Sequence, residues 1–142
     1  MAGPEERPPF EILEHTADIG LRARGRTLEE TFGNAIRGLI EIVGAQTPDG
    51  KDEENVHVQL DEDDPAGTLV QLLNEVIYRL DRYRGRIANV SVERVGPLIG
   101  ARILWGAGPD PPDGTELKGT TYHQLSVERT GDGYEATVYF DV

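Results

Sequence analysis

The stretch Tyr134-Glu135-Ala136-Thr137-Val138-Tyr139-Phe140-Asp141-Val142 alternates between two kinds of side chain. Tyr134, Ala136, Val138, Phe140 and Val142 fall on one face. Glu135, Thr137, Tyr139 and Asp141 fall on the other. That is the period of a strand with one face dry and one face wet, so the apolar set is expected to be buried. Just upstream, Gly131-Asp132-Gly133 reads as a hairpin turn, and Tyr122–Arg129 reads as the partner strand. The chain therefore closes on an antiparallel hairpin over a core.

Working outward, strands are expected at Ile87–Val95 and Leu98–Trp105. Residues 106–114 form a Pro/Gly-rich loop, and the segment 115–121 adds at most a short strand. Two helices precede this sheet region. Thr27-Leu28-Glu29-Glu30 reads as a capping box, followed by the stripe Leu28, Phe32, Ala35, Ile36, Leu39 and Val43, with Gly44 as the stop. Gly33 and Gly38 weaken that helix by about 1 kcal/mol each relative to Ala, which points to close packing on the sheet. The second helix opens after the acidic run Asp61-Glu62-Asp63-Asp64, with Asp64 at the cap and Pro65 at the first position. Leu69, Leu72, Leu73, Val76, Ile77 and Leu80 form its stripe. Earlier strands are expected at Phe10–Glu14, Asp18–Arg24 and Val56–Leu60, with polar loop across 46–54. Residues 1–9 read as a disordered tail, and 10–142 as a single domain. The fold class is α+β, two helices on one face of a largely antiparallel (mixed) sheet.

The 142 residues suit one core, and 37% of them are hydrophobic. No apolar run approaches the roughly 20 residues that span a bilayer, so no membrane association is expected. The N-terminus lacks the basic start and apolar stretch of a secretory signal. Cysteine is absent, which removes disulfides, thiolate metal sites and a Cys nucleophile and agrees with a reducing cytoplasmic setting. The net charge of −12 repels nucleic acid at long range. It suits a basic partner or bound cations, and general solubility explains it equally well.

On the last strand Asp141 points away from the core, and Asp18 shares the polar face of its own strand. With Val142 as the chain end, a main-chain carboxylate stands beside Asp141. Carboxylates brought together need a cation or a basic partner. Oxygen ligands without thiolate favour calcium, magnesium or manganese over zinc. A lone Asp at a strand start is nevertheless most often a turn or cap residue. His15, three residues before Asp18, could orient a carboxylate or bind a metal, though a histidine packed at a strand end is the plainer reading. His57 and His123 sit at alternating strand positions and are expected simply to pack. Tyr78 and Tyr83 with Arg79, Arg82 and Arg84 could stack on RNA, but an exposed helix end explains them more economically. Lys118 is one of only two lysines, with Lys51, in a chain otherwise built on arginine. Its retention suggests that a compact ammonium is wanted there.

Five segments, in order, resemble the archease family. Glu14-His15-Thr16-Ala17-Asp18-Ile19-Gly20 resembles its opening motif, and Thr27–Phe32 followed by Asn34-Ala35 resembles its first helix. Leu73-Asn74-Glu75 resembles the core of its second helix. Gly114-Thr115-Glu116-Leu117-Lys118 resembles its Gly-Thr-Glu-Val-Lys segment, and Phe140-Asp141-Val142 resembles its ending. Three departures stand out. Leu72 replaces a Trp common in the family, Gly119 rather than Ala follows Lys118, and the 106–114 loop lacks a His usually found before Gly-Thr-Glu.

The resemblance implies a protein cofactor rather than an enzyme, with no catalytic residues of its own. Its partner would be the RtcB-type RNA ligase, which uses GTP and manganese to join RNA ends in tRNA splicing. The cofactor would promote guanylylation of the ligase and multiple turnover. The resemblance also implies a divalent metal, calcium first, with manganese or magnesium as alternatives, held through Asp18, Asp141 and Val142. It places Lys118, with His15, on the functional surface. RNA would be reached only through the ligase, and a monomer is expected. The alternative reading is a metal-dependent hydrolase or phosphotransferase using Asp18 and Asp141, against which no general base or nucleophile is evident near them.

Overall fold

Each of the two helices starts where its end residues satisfy the backbone, and the first also stops there. The computed structural model describes residues 7–14, 18–83, 85–108 and 110–142. Helix α1 spans Leu28–Val43. The Thr27 hydroxyl accepts the Glu30 N–H at 3.1 Å, one of the orphan donors of the first turn. Gly44 closes the helix in the left-handed conformation at φ 69°. Helix α2 spans Pro65–Tyr83, and a side-chain oxygen of Asp64 accepts the Gly67 N–H at 3.0 Å.

The strands are β1 (Phe10–Glu14), β2 (Asp18–Gly25), β3 (Gly50–Gln59), β4 (Ile87–Val95), β5 (Leu98–Gly106), β6 (Gly119–Arg129) and β7 (Tyr134–Asp141). They form two antiparallel sheets, β1-β2-β7-β6 and β3-β5-β4, enclosing one apolar cluster with the two helices. Helix α1 lies against β2 and β4, one strand from each sheet, and α2 lies against β6 and β3. The sheet of the sequence reading is thus divided in two, with the helices joining the halves. Gly38 lies directly against Leu21, where any side chain would collide. Gly33 also meets the sheet, where a Cβ would lie 3.7 Å from Val92 of β4, with the Arg37 side chain nearer still.

The structure corrects the expected elements in three places. β3 begins at Gly50, inside the segment 46–54 read as loop. Its first half, Gly50 to Asn55, is exposed or half-exposed at every position, so it carries no apolar period. It is an edge strand, and its charges discourage further pairing. β6 begins at Gly119 and is interrupted by a bulge between Thr121 and Ser126, where Gln124 takes a positive φ of 52°. Val142 lies past the end of β7 and is 45% exposed, so the buried set on that strand ends at Phe140. The carbonyl of Pro9 accepts the Arg24 N–H at 2.9 Å, carrying the pairing with β2 one residue before β1. Among the described residues no helix is long and apolar enough to cross a membrane.

Candidate functional site

Antiparallel register decides which polar residues meet. β2 and β7 pair so that Ile19 faces Phe140 and Asp18 faces Asp141. Directly opposed residues project on the same side of the sheet. Phe140 is fully buried, so its neighbour Asp141 projects outward, and Asp18 with it. The two carboxylates expected on the polar faces of two separate strands are therefore one cross-strand pair. Asp141 is exposed and Asp18 half-buried. Val142 follows at once, with its side chain in solvent.

The other flank of Asp141 belongs to β6. Gly119 is its register partner, and the Lys118 N–H donates to the Asp141 carbonyl at 2.9 Å. Leu117 is 6% exposed while Glu116 and Lys118 are exposed, which is the alternation expected of this segment. The buried leucine anchors the strand entry, and the backbone bond sets Lys118 beside the end of β7 with its side chain exposed. A side chain that sequence reading left without a role supports this geometry. Asn74 Oδ1 accepts the Thr120 N–H at 2.9 Å, tying α2 to the start of β6. Asn74 is exposed, on the polar side of α2, so nothing in the helical pattern marked it.

The carboxylate pair is bounded along the sheet by an aromatic wall. Gly20 faces Tyr139, and the Tyr139 ring lies so close over Gly20 that a Cβ there would come within 2.5 Å of it. His123 stands edge-on to Tyr139 at 6.1 Å between ring centroids. His123 and His57 are both exposed. Surface contacts replace the packing expected of them, His123 on Tyr139 and His57 over Gly100. His15, expected on the functional surface, lies outside the described residues, as does Arg84.

Among the described residues no three His, Asp or Glu side chains converge as a metal-binding group. Asp18 and Asp141 supply two carboxylates, directly opposed across β2 and β7. The donor set fits a hard cation. Like charges placed directly opposite on a sheet repel, all the donors are oxygen, and one partner is exposed enough to exchange with solvent.

The arginines of α2 are engaged elsewhere. Arg79 donates to Glu54 at 2.9 Å and to Glu75 at 3.1 Å, and Trp105 Nε1 donates to the other Glu54 oxygen at 2.9 Å. Burial alone would depress the Arg79 guanidinium, but the bonds to Glu54 and Glu75 outweigh it and raise its pKa. Arg82 contacts the Tyr78 hydroxyl at 3.3 Å and lies over the Tyr83 ring. Tyr83 meets Trp105 edge-on. This cluster fastens α2 to β3 and β5.

The 106–114 loop also acquires a role. The N–H groups of Thr115, Gly114 and Asp113 reach the carbonyls of Ile42, Val43 and Gly44 at 2.9, 2.8 and 3.4 Å. The end of the loop thus satisfies carbonyls that the C-terminus of α1 leaves open. Arg86 holds the same loop through the Pro111 carbonyl at 3.3 Å and Asp113 at 3.2 Å.

A profile described as the archease protein family matches residues 10–142. Proteins named archease are similar over nearly the whole chain. One from Saccharolobus islandicus is 34% identical over 138 residues, covering 94% of this chain and 98% of the relative. One from Methanosarcina acetivorans is 33% identical over 147 residues, covering 98% and 99%. A crystal structure from Thermotoga maritima, described as an archease and possible chaperone, superposes with a TM-score of 0.70 at 28% identity, covering 96% and 97%. The solution structure of a Methanobacterium thermoautotrophicum protein superposes with a TM-score of 0.75 at 22% identity, covering 94% and 99%, and shares the fold.

Proposed function

The chain belongs to the archease family, and on that premise we propose that it is a protein cofactor of an RtcB-type RNA ligase in the cytoplasm. In this reading it promotes guanylylation of the ligase and its repeated turnover in tRNA splicing and RNA end joining, and performs no reaction itself. The observation that carries the reading is the register of β2, β7 and β6, which sets Asp18 opposite Asp141 and ties Lys118 to the Asp141 backbone. A divalent cation, calcium first and manganese or magnesium as alternatives, would be held by Asp18, Asp141 and the main-chain carboxylate of Val142. Bound there, it would neutralise the acidic pair and present positive charge at the surface. Lys118 contributes an ammonium to the same surface without help from the metal. That ammonium is suited to a phosphate or to a carboxylate of the partner.

The protein-directed role also agrees with charge. A chain at −12 is repelled by RNA, so RNA is met through the ligase. The chaperone role suggested for the Thermotoga maritima relative likewise takes another protein as its object. The test is RNA ligation at a ligase concentration well below that of the RNA ends. Added protein should convert a reaction that stalls after about one turnover into one that consumes the substrate. A ligase that turns over equally well alone contradicts the proposal.

A further inference from the structure

Beside Lys118 a groove opens between α2 and the segment 111–119. It has two lobes, of about 180 and 420 Å³. Ile77, Asp81, Glu116 and Leu117 line both lobes, so the two form one continuous channel. Its floor is apolar, with Val43 and Leu80 beside Ile77 and Leu117. Tyr78 stands at the wider lobe, 55% exposed. Asp81 and Glu116 are exposed in the middle of the channel, and among the described residues neither has an ion-pair partner. The Pro111 end of the wall is held by Arg86 and by the carbonyls of α1, and the Lys118 end by Asn74 and Asp141. Because both ends are fixed by backbone hydrogen bonds, little ordering is needed when an occupant arrives.

We propose that this groove takes an arginine-centred, otherwise apolar segment of a protein partner. An arginine stem can lie along Ile77 and Leu117 while its guanidinium meets the carboxylates of Asp81 and Glu116. Flanking apolar residues of the segment fill the two lobes on either side. A nucleic-acid strand does not fit the same surface, because its phosphates would face two carboxylates over a greasy floor. The groove ends at Lys118, whose N–H bonds the Asp141 carbonyl. A segment seated in it would therefore bring the partner's surface to the site described above. The inference rests on the reading of this chain as a protein that acts on another protein, but not on that protein being a ligase.

The test follows the resonances of Ile77, Asp81 and Leu117 in isotope-labelled protein. The probes are the blocked peptide acetyl-Leu-Arg-Leu-amide, its citrulline counterpart, and a single-stranded RNA oligonucleotide. The arginine peptide should shift these resonances saturably, and the citrulline peptide should bind more weakly. The Asp81→Asn/Glu116→Gln double variant should lose about tenfold in affinity for the arginine peptide, as two partly exposed ion pairs together supply. Its calcium affinity should be unchanged. Equal binding of the arginine and citrulline peptides, shifts confined to other surfaces, or RNA seated in the groove would each overturn the proposal. Stimulation of ligation by the wild type is scored separately. A protein that seats the arginine peptide yet stimulates no ligase keeps the groove and refutes the ligase assignment.

Discussion

The main-chain N–H of Lys118 donates to the carbonyl of Asp141 at 2.9 Å. The lysine and the outer carboxylate of the site are thereby joined through backbone, leaving both side chains available at the surface. The Lys118 ammonium can therefore be removed without touching the bond that positions it. Lys118→Ala should change stability by no more than about 0.5 kcal/mol yet lose most of the stimulation of ligation. Lys118→Pro, which deletes the N–H, should lower the melting temperature as well. Calorimetric melting and ligation assays on the two variants separate these roles. A Lys118→Ala protein that stimulates as wild type does would leave the ammonium without function.

Asp18 and Asp141 face each other across β2 and β7, and directly opposed like charges weaken a strand pair by roughly 0.2–1 kcal/mol. Asp18→Asn relieves this repulsion and should weaken calcium binding. A carboxylate ligand binds only when ionised, so wild-type calcium affinity should fall as the pH is lowered. Calorimetric titration of both proteins, with melting in chelator, reads out the two effects. Equal calcium affinity in wild type and variant would remove Asp18 from any metal site.

Asn74 supplies the acceptor for the Thr120 N–H. Asn74→Ala removes it and should cost about 1 kcal/mol of stability, together with part of the ligase stimulation through loosened Lys118. Asn74→Asp keeps an acceptor and should recover most of both. Denaturant unfolding of the three proteins measures the difference. An alanine variant as stable as wild type would show that β6 is held in place without this bond.

Two glycines in turns should respond in opposite ways to alanine. Gly44 has φ 69° and is in close contact with Asp113 and Gly114, so Gly44→Ala should cost more than the roughly 1–2 kcal/mol of a left-handed residue alone. Gly131 has nothing near the position of an added Cβ, and Gly131→Ala should fall within about 0.5 kcal/mol of wild type. Comparable melting of the two variants would contradict the capping role of the 113–115 segment.

Helices were legible in the sequence because both carry a full apolar stripe and explicit end residues, Thr27 and Gly44 for the first, Asp64 and Pro65 for the second. The last hairpin was legible for the same reason, since Ala136, Val138 and Phe140 alternate against a core. The first half of β3 was not, because Lys51 through Asn55 lie on an exposed edge where apolar periodicity has no physical cause. Alternation placed Asp18 and Asp141 on polar faces, but their direct opposition depends on a register between strands more than 100 residues apart, and no local pattern encodes that. The Asn74 bond and the 113–115 cap on α1 were hidden likewise, since each joins segments distant in sequence.

The most direct test of the central claim follows the covalent guanylate on the ligase. Incubate the RtcB-type ligase with radiolabelled GTP and manganese, and measure the rate of adduct formation alone, with wild-type protein, and with Lys118→Ala. The account predicts a clear acceleration by the wild type, little by the variant, and no label on the activator itself. An adduct that forms at the same rate in all three reactions would contradict it.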